Sequence, residues 1–193
     1  MNDYVRYSCD PLMDVASYPL MFHILILLAT EGGLRIIMRL KGFQRLRVGP
    51  ISYYYHPGGK QTADIQAIYK RNNSESEEID SVPIVFCHGI GIGLIYYLVL
   101  IDELMKLGRP IILPEIPYVS GFRPWQSPNC VLPPAAVTSS LMSILACHGH
   151  ARGAFVGHSY GTSYLSYMCK YAPSAVAAVC FIDPVCFCLH CPR

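Results

Sequence analysis

The sequence predicts an α/β fold: a mostly parallel sheet flanked by helices on both faces. Short, continuously apolar runs at 83–87, 110–113, 153–157 and 175–183 have the length and composition of strands. Segments of helical length and apolar spacing separate them, and glycine-rich turns join several runs to the helix that follows. Strands without polar alternation suit a sheet buried on both faces, and strand-helix repetition implies parallel pairing through helical crossovers.

A chain of 193 residues suits one domain with a substantial core. Apolar residues make up 52% and charged residues 15% of it, which excludes a disordered or highly solvated chain. A net charge of +2 gives no electrostatic footprint for nucleic acid. Nine cysteines cannot all pair within the chain. Cys87, Cys147, Cys169 and Cys180 lie in apolar runs, where a thiol acts as a small hydrophobic side chain. The group Cys180, Cys186, Cys188, His190 and Cys191 lacks the paired spacing of structural zinc sites, so no metal is expected.

In chain order, residues 1–50 read as a hydrophobic N-terminal helical extension and 51–193 as the main domain. The apolar run 19–30 is closed by Glu31, Gly32 and Gly33, and 34–40 then alternates apolar and basic residues. That run is shorter than the roughly 20 residues needed to span a bilayer. Positive charge follows the run rather than preceding it, so no cleavable signal peptide is evident. The segment reads either as a buried packing helix or as a membrane-surface anchor. In the second case Arg35, Arg39, Lys41, Arg45 and Arg47 would meet anionic lipid, making residues 19–47 a membrane contact. A third reading, a spanning helix, would put this basic flank on the cytoplasmic side. The chain is accordingly expected in the cytoplasm or on a membrane.

Residues 51–56 form a strand closed by a Pro-Gly-Gly turn, 64–70 a second strand, and 72–80 a solvated acidic loop. Strand 83–87 runs into His88-Gly89-Ile90-Gly91-Ile92-Gly93 and then a helix over 94–107. Strand 110–113, a proline-rich loop over 121–134 and a helix over 135–148 follow. Strand 153–157 leads through Ser159 into a helix over 162–171, and 175–183 is the last strand.

Gly157-His158-Ser159-Tyr160-Gly161 sits between an apolar strand and a helix, as a sharp turn that lifts a serine above a sheet edge requires. Gly157 and Gly161 fit positions where strand and helix approach too closely for a β-carbon. The helix N-terminus would direct backbone N–H groups toward developing negative charge. At the end of an earlier strand, the His88-Gly89 loop can turn a second N–H toward the same edge. The oxyanion donors are then the N–H groups of Tyr160 and Ile90, with His88 bracing its own turn. The glycines of 89–93 lack the lysine of a phosphate-binding loop, and no cofactor is expected.

The segments PIVFCHGIGIG, AFVGHSYGT and CFIDPV, in this order, make residues 51–192 resemble the α/β-hydrolase superfamily. The resemblance extends to uncharacterised fungal-type members with a hydrophobic N-terminal extension. It implies a mostly parallel eight-stranded sheet and a serine, acid and histidine triad acting on a small acyl ester. Epoxide hydrolases and haloalkane dehalogenases of this fold use a carboxylate at the elbow, and serine at 159 argues against both. In the family the acid and then the histidine follow the nucleophile. Asp183 fits the acid, because some members carry it after this strand; it also fits a cap on its own Asp-Pro turn. His190 is the sole histidine after Ser159 and lies in a short tail, poorly placed to reach the serine hydroxyl. The expectation is a partial α/β-hydrolase fold lacking its C-terminal strands, with little ester turnover in the chain as it stands. The alternative is a non-catalytic or binding protein of the same fold.

Overall fold

A computed structural model describes residues 19–59, 82–117, 119–120 and 131–186. The expected strand at 64–70, the acidic loop at 72–80, most of the proline-rich loop and His190 lie outside the described residues.

Six strands form one sheet in the order β1-β2-β4-β3-β5-β6: β1 Gln44–Val48, β2 Ile51–His56, β3 Ile84–Cys87, β4 Ile111–Glu115, β5 Gly153–His158 and β6 Val176–Ile182. β3, β4, β5 and β6 pair in parallel, and the β1–β2 hairpin adds antiparallel to β4. The sheet is thus mixed, with a parallel core and an antiparallel edge. β1 was not foreseen, because Gln-Arg-Leu-Arg-Val reads as a basic flank; it is a solvent-facing edge strand in which charged side chains carry no burial cost. Its pairing places the turn at Gly49 and Pro50, where the extension was expected to end, inside a hairpin of the sheet.

Helices cover both faces. Val85, Cys87, Ile112 and Phe155 pack under α3 (Pro134–Cys147) and α4 (Gly161–Tyr171) through Leu141, Leu165 and Met168. Tyr54, Phe86, Ile111 and Leu113 pack on the other face under α1 (Leu20–Leu40) and α2 (Leu98–Lys106) through Leu34, Met38 and Ile101. β3 and β4 are buried throughout, as continuous apolar runs require.

Two expectations are corrected. Glu31-Gly32-Gly33 does not end the first helix: the chain passes through a π-turn at Leu28–Gly33 and stays helical to Leu40. Arg35, one turn on, pairs with Glu31 there and supports the helix across the glycines. At 21 residues this helix is long and apolar enough to cross a membrane by length and composition alone. Second, of the cysteines expected in the core only Cys87 is buried; Cys147, Cys169 and Cys180 occupy solvent-facing helix positions and the edge strand. β6 lies at an edge of the described sheet with Val179 and Ile182 exposed, as expected of the last strand in a sheet lacking its C-terminal strands.

The halves of α1 differ. Leu34 and Met38 are buried in the core, whereas Leu20, Met21, Ile24, Leu25 and Leu28 are exposed. β1 begins opposite the end of β2, and β2 begins opposite the end of β4. The C-terminus of α1, just before β1, therefore lies at the far end of the sheet from the carboxyl ends of β3 and β5. Its exposed half points toward those carboxyl ends, where the π-turn packs on the 3₁₀ turn Gly93–Tyr97.

Met38→Ala is expected to lower unfolding free energy by about 2–5 kcal/mol through an unfilled core position, while Leu25→Ala changes it by under about 0.5 kcal/mol; urea unfolding of the two variants measures both. Burial holds the His56, His148 and His150 imidazoles below the ordinary histidine value, with His150 lowering His148 further. His56 Nδ1 accepts the Gly58 N–H at 3.1 Å, and His148 stacks on Tyr55 with ring centroids 3.5 Å apart. Folded-state values below the unfolded one mean that the unfolded chain binds protons first. This contribution is therefore complete above about pH 6.5 and is lost as pH falls through the folded values. The urea midpoint is expected to drop between about pH 7.5 and 5.5, with a shallower drop in His148→Gln.

Candidate active site

The chain leaves β3 toward β4 through α2 on one face of the sheet and leaves β5 toward β6 through α4 on the other. Beyond the carboxyl ends of β3 and β5 the connections therefore diverge and open a crevice. Such a switch point is where open α/β sheets place their ligands. The loop after β3 carries His88, Gly89 and Ile90; the turn after β5 carries Ser159 and Tyr160.

Ser159 has φ +49°, a left-handed conformation costing a residue with a β-carbon on the order of 1–3 kcal/mol. The turn is held from both sides. Ser159 N–H donates to the Ile182 carbonyl at the end of β6 (3.0 Å), and its own carbonyl accepts from Thr162 N–H (3.0 Å) and Thr162 Oγ1 (2.6 Å). The flanking glycines answer to close packing. A β-carbon on Gly157 would stand 2.8 Å from Leu165 Cδ1, and one on Gly161 would overlap the Cys87 carbonyl group. No residue other than glycine fits Gly161 without separating α4 from β3.

The His88 loop lies against this turn. A β-carbon on Gly89 would meet Ser159 Cβ, His158 Nδ1 and Tyr97 Oη at 3.0 Å each. Gly89 N–H donates to Tyr97 Oη (3.0 Å), and the Tyr97 hydroxyl shares a hydrogen bond with His158 Nδ1 (2.8 Å). One side chain thus ties the loop to the residue before Ser159. Tyr97 escaped the sequence reading because it sits in a 3₁₀ turn that reads as part of the next helix; its spacing from His88 carries no motif.

His88 is fully buried. Its Nε2 accepts the Ile116 N–H (2.9 Å), so the ring proton sits on Nδ1, which donates to the Gly89 carbonyl (2.8 Å). The Ser120 hydroxyl lies 3.1 Å from Nε2 and donates to the Ile116 carbonyl at 2.5 Å. The imidazole thereby joins its own loop to the chain after β4, with both ring nitrogens occupied away from Ser159.

The Ile90 and Tyr160 N–H groups donate to no other described residue. Tyr160 is the N-cap residue of α4, where the backbone dipole favours negative charge. Asp183 follows β6 with φ +48°, and it and Ser159 are the two non-glycine residues of positive φ among those described. A residue before proline normally avoids helical conformations of either hand, so Asp183 ahead of Pro184 is doubly constrained. Backbone bonds hold it beside the elbow: Ile182 accepts from Ser159, and Val185 N–H donates to Thr162 Oγ1 at 3.1 Å. Its exposed carboxylate forms no hydrogen bond to a described residue, so it does not cap its own turn within the described chain.

The Ser159 hydroxyl likewise has no hydrogen bond to a described residue, histidines included. His148 is tied to Tyr53, His56 to Gly58, and His23 lies on the projecting half of α1. Burial pushes the Cys87 thiol up to about 12, so it packs as a neutral group beside the site. No group of side chains suited to a metal ion occurs among the described residues.

The structure is similar to a membrane phospholipase A described as a bacterial virulence factor (TM-score 0.54, 16% identity, covering 85% of this chain and 47% of that one). It is also similar to epoxide hydrolase A from Mycobacterium thermoresistibile (0.50, 17%, 72% and 38%) and to a probable hydrolytic enzyme from Pseudomonas aeruginosa PAO1 (0.50, 18%, 74% and 41%). The chain spans less than half the length of each of these three. No family model matches it, and no curated protein does.

Tyr97→Phe keeps the ring and removes the hydroxyl that holds Gly89. Amide exchange at Gly89 is expected to quicken by about tenfold or more, from the loss of roughly 1.4 kcal/mol of hydrogen bonding; NMR-detected exchange with unchanged protection would contradict the clamp.

Proposed function

The chain has the α/β-hydrolase fold, and on that basis we propose that it is a serine hydrolase of carboxylic esters with Ser159 as nucleophile. The observation that carries this reading is the strained Ser159 backbone at the β5–α4 turn, with Gly89 of the neighbouring loop pressed against its β-carbon. Strain of this kind persists where surrounding structure enforces it and often marks a working residue. Ser159 Oγ attacks the acyl carbonyl; its proton passes to a histidine base that the described residues do not supply and from there to the leaving alkoxide, which departs as the alcohol as the acyl-enzyme forms. The oxyanion that forms is held by the Tyr160 and Ile90 N–H groups, both without a described partner. Asp183 serves as the acid of the relay, which favours the triad role over a turn cap. Ester cleavage is preferred to epoxide opening because the elbow bears a hydroxyl, which forms an acyl-enzyme, and no carboxylate.

The exposed apolar half of α1, directed toward the same end of the sheet, supports an acyl substrate met at a lipid surface. The absence of a described histidine bonded to Ser159 favours a second reading, a binding protein built on the same elbow.

A fluorophosphonate probe separates the two. Labelling of the folded chain at Ser159, abolished in Ser159→Ala and slowed about tenfold or more in Asp183→Asn, is the expected result. A folded sample that takes no label would remove the catalytic reading and leave the binding one.

A further inference from the structure

We propose that the cavity between α1 and the β1–β2 hairpin binds a phosphate group, carried by a lipid headgroup or by a soluble phosphate ester. The cavity measures about 690 Å³ and is lined by Arg35 and Arg39 of α1, Phe43 after it, Arg45 and Leu46 of β1, and Tyr54 of β2. Arg35 and Arg39 stand one turn apart on α1 and so share a face.

Two carboxylates are close by: Arg35 pairs with Glu31, and Arg45 Nη2 pairs with the buried Glu115 at 2.7 Å. Arg39 pairs with no carboxylate among the described residues, so three guanidinium groups face two carboxylates and positive charge is in excess. A guanidinium carries five N–H donors, and one carboxylate leaves several of them for a second acceptor. Its planar fork matches two phosphate oxygens at once.

Tyr54 supplies an independent observation. The residue is 2% exposed, lines this cavity, and its hydroxyl has no hydrogen-bond partner among the described residues. Burial, helped by Glu115 and opposed by Arg45 and Arg35, pushes its phenol up to about 12. The hydroxyl keeps its proton; its oxygen is closed to solvent, so it donates to a bound oxyanion once the side chains over it move aside, which satisfies a group otherwise buried unpaired. An oxyanion thus meets the excess charge and the missing acceptor together. β2 lies three strands from β5, roughly 14 Å at the usual strand spacing, so this is a site separate from Ser159.

Isothermal titration of the full chain with inorganic phosphate tests the site, and sedimentation with phosphatidylcholine vesicles, with and without phosphatidic acid, separates the sources. Saturable binding, weakened about tenfold by Arg39→Gln and by Tyr54→Phe, is expected; Lys106→Gln, on α2, leaves it unchanged. Arg39 is exposed and Phe keeps the Tyr54 ring, so both variants retain the fold. Sedimentation that needs phosphatidic acid, is lost in Arg39→Gln and is competed by free phosphate assigns a lipid headgroup. Phosphate binding without such sedimentation assigns a soluble ester. No saturable binding in either arm, or binding that neither substitution weakens, overturns the site.

Discussion

Contact between the first residue of α4 and the end of β3 is the constraint on which the rest of the site depends. Gly161 lies so close to the Cys87 and His88 carbonyls that no β-carbon fits. α4 can cross β3 at that distance only if the chain leaves β5 in a single sharp turn, and the turn forces Ser159 to positive φ. The same approach brings the His88 loop against the turn, so Gly89 must also lack a side chain. The strained serine, the glycine pair and the adjacent loop are thus consequences of one packing distance, set by helix and sheet rather than by the loops themselves.

Buried polar groups hold this arrangement rigid. His88 joins its own carbonyl neighbour to the Ile116 N–H beyond β4. Tyr97 joins Gly89 to His158. Each satisfies backbone groups that would otherwise be buried unpaired, so the network stabilises the loop and fixes where its next N–H, that of Ile90, can point. The β6 end is bound to the elbow through Ile182, which brings Asp183 to the same edge. Mobile loops could not keep Ser159 in register with the Ile90 and Tyr160 N–H groups, whereas strand ends and helix starts can.

Much of this was legible in the sequence because it follows from local chemistry. Continuous apolar runs identified β3, β4 and β5, and the glycine spacing around Ser159 identified the elbow. What was missed depends on tertiary contact. β1 is too charged to read as a strand and exists because β2 offers it an edge. Glu31-Gly32-Gly33 reads as a helix stop, yet Glu31 pairs with Arg35 and core packing of Leu34 and Met38 carries the helix through. Tyr97 belongs to no motif; its role comes from the fold placing its hydroxyl between two loops. α1 shows the same limit, since its sequence suited both burial and membrane contact, and the structure buries Leu34 and Met38 of its second half while exposing Leu20, Met21, Ile24, Leu25 and Leu28 of its first.

If the His88 loop and the Ser159 elbow are together preorganised for an acyl oxyanion, a crystal structure of the chain after reaction with a fluorophosphonate will show a covalent bond from Ser159 Oγ to phosphorus and a phosphonyl oxygen about 3 Å from both the Ile90 and Tyr160 N–H groups. An adduct whose phosphonyl oxygen faces solvent, or a crystal soaked in probe with no adduct at Ser159, would contradict it.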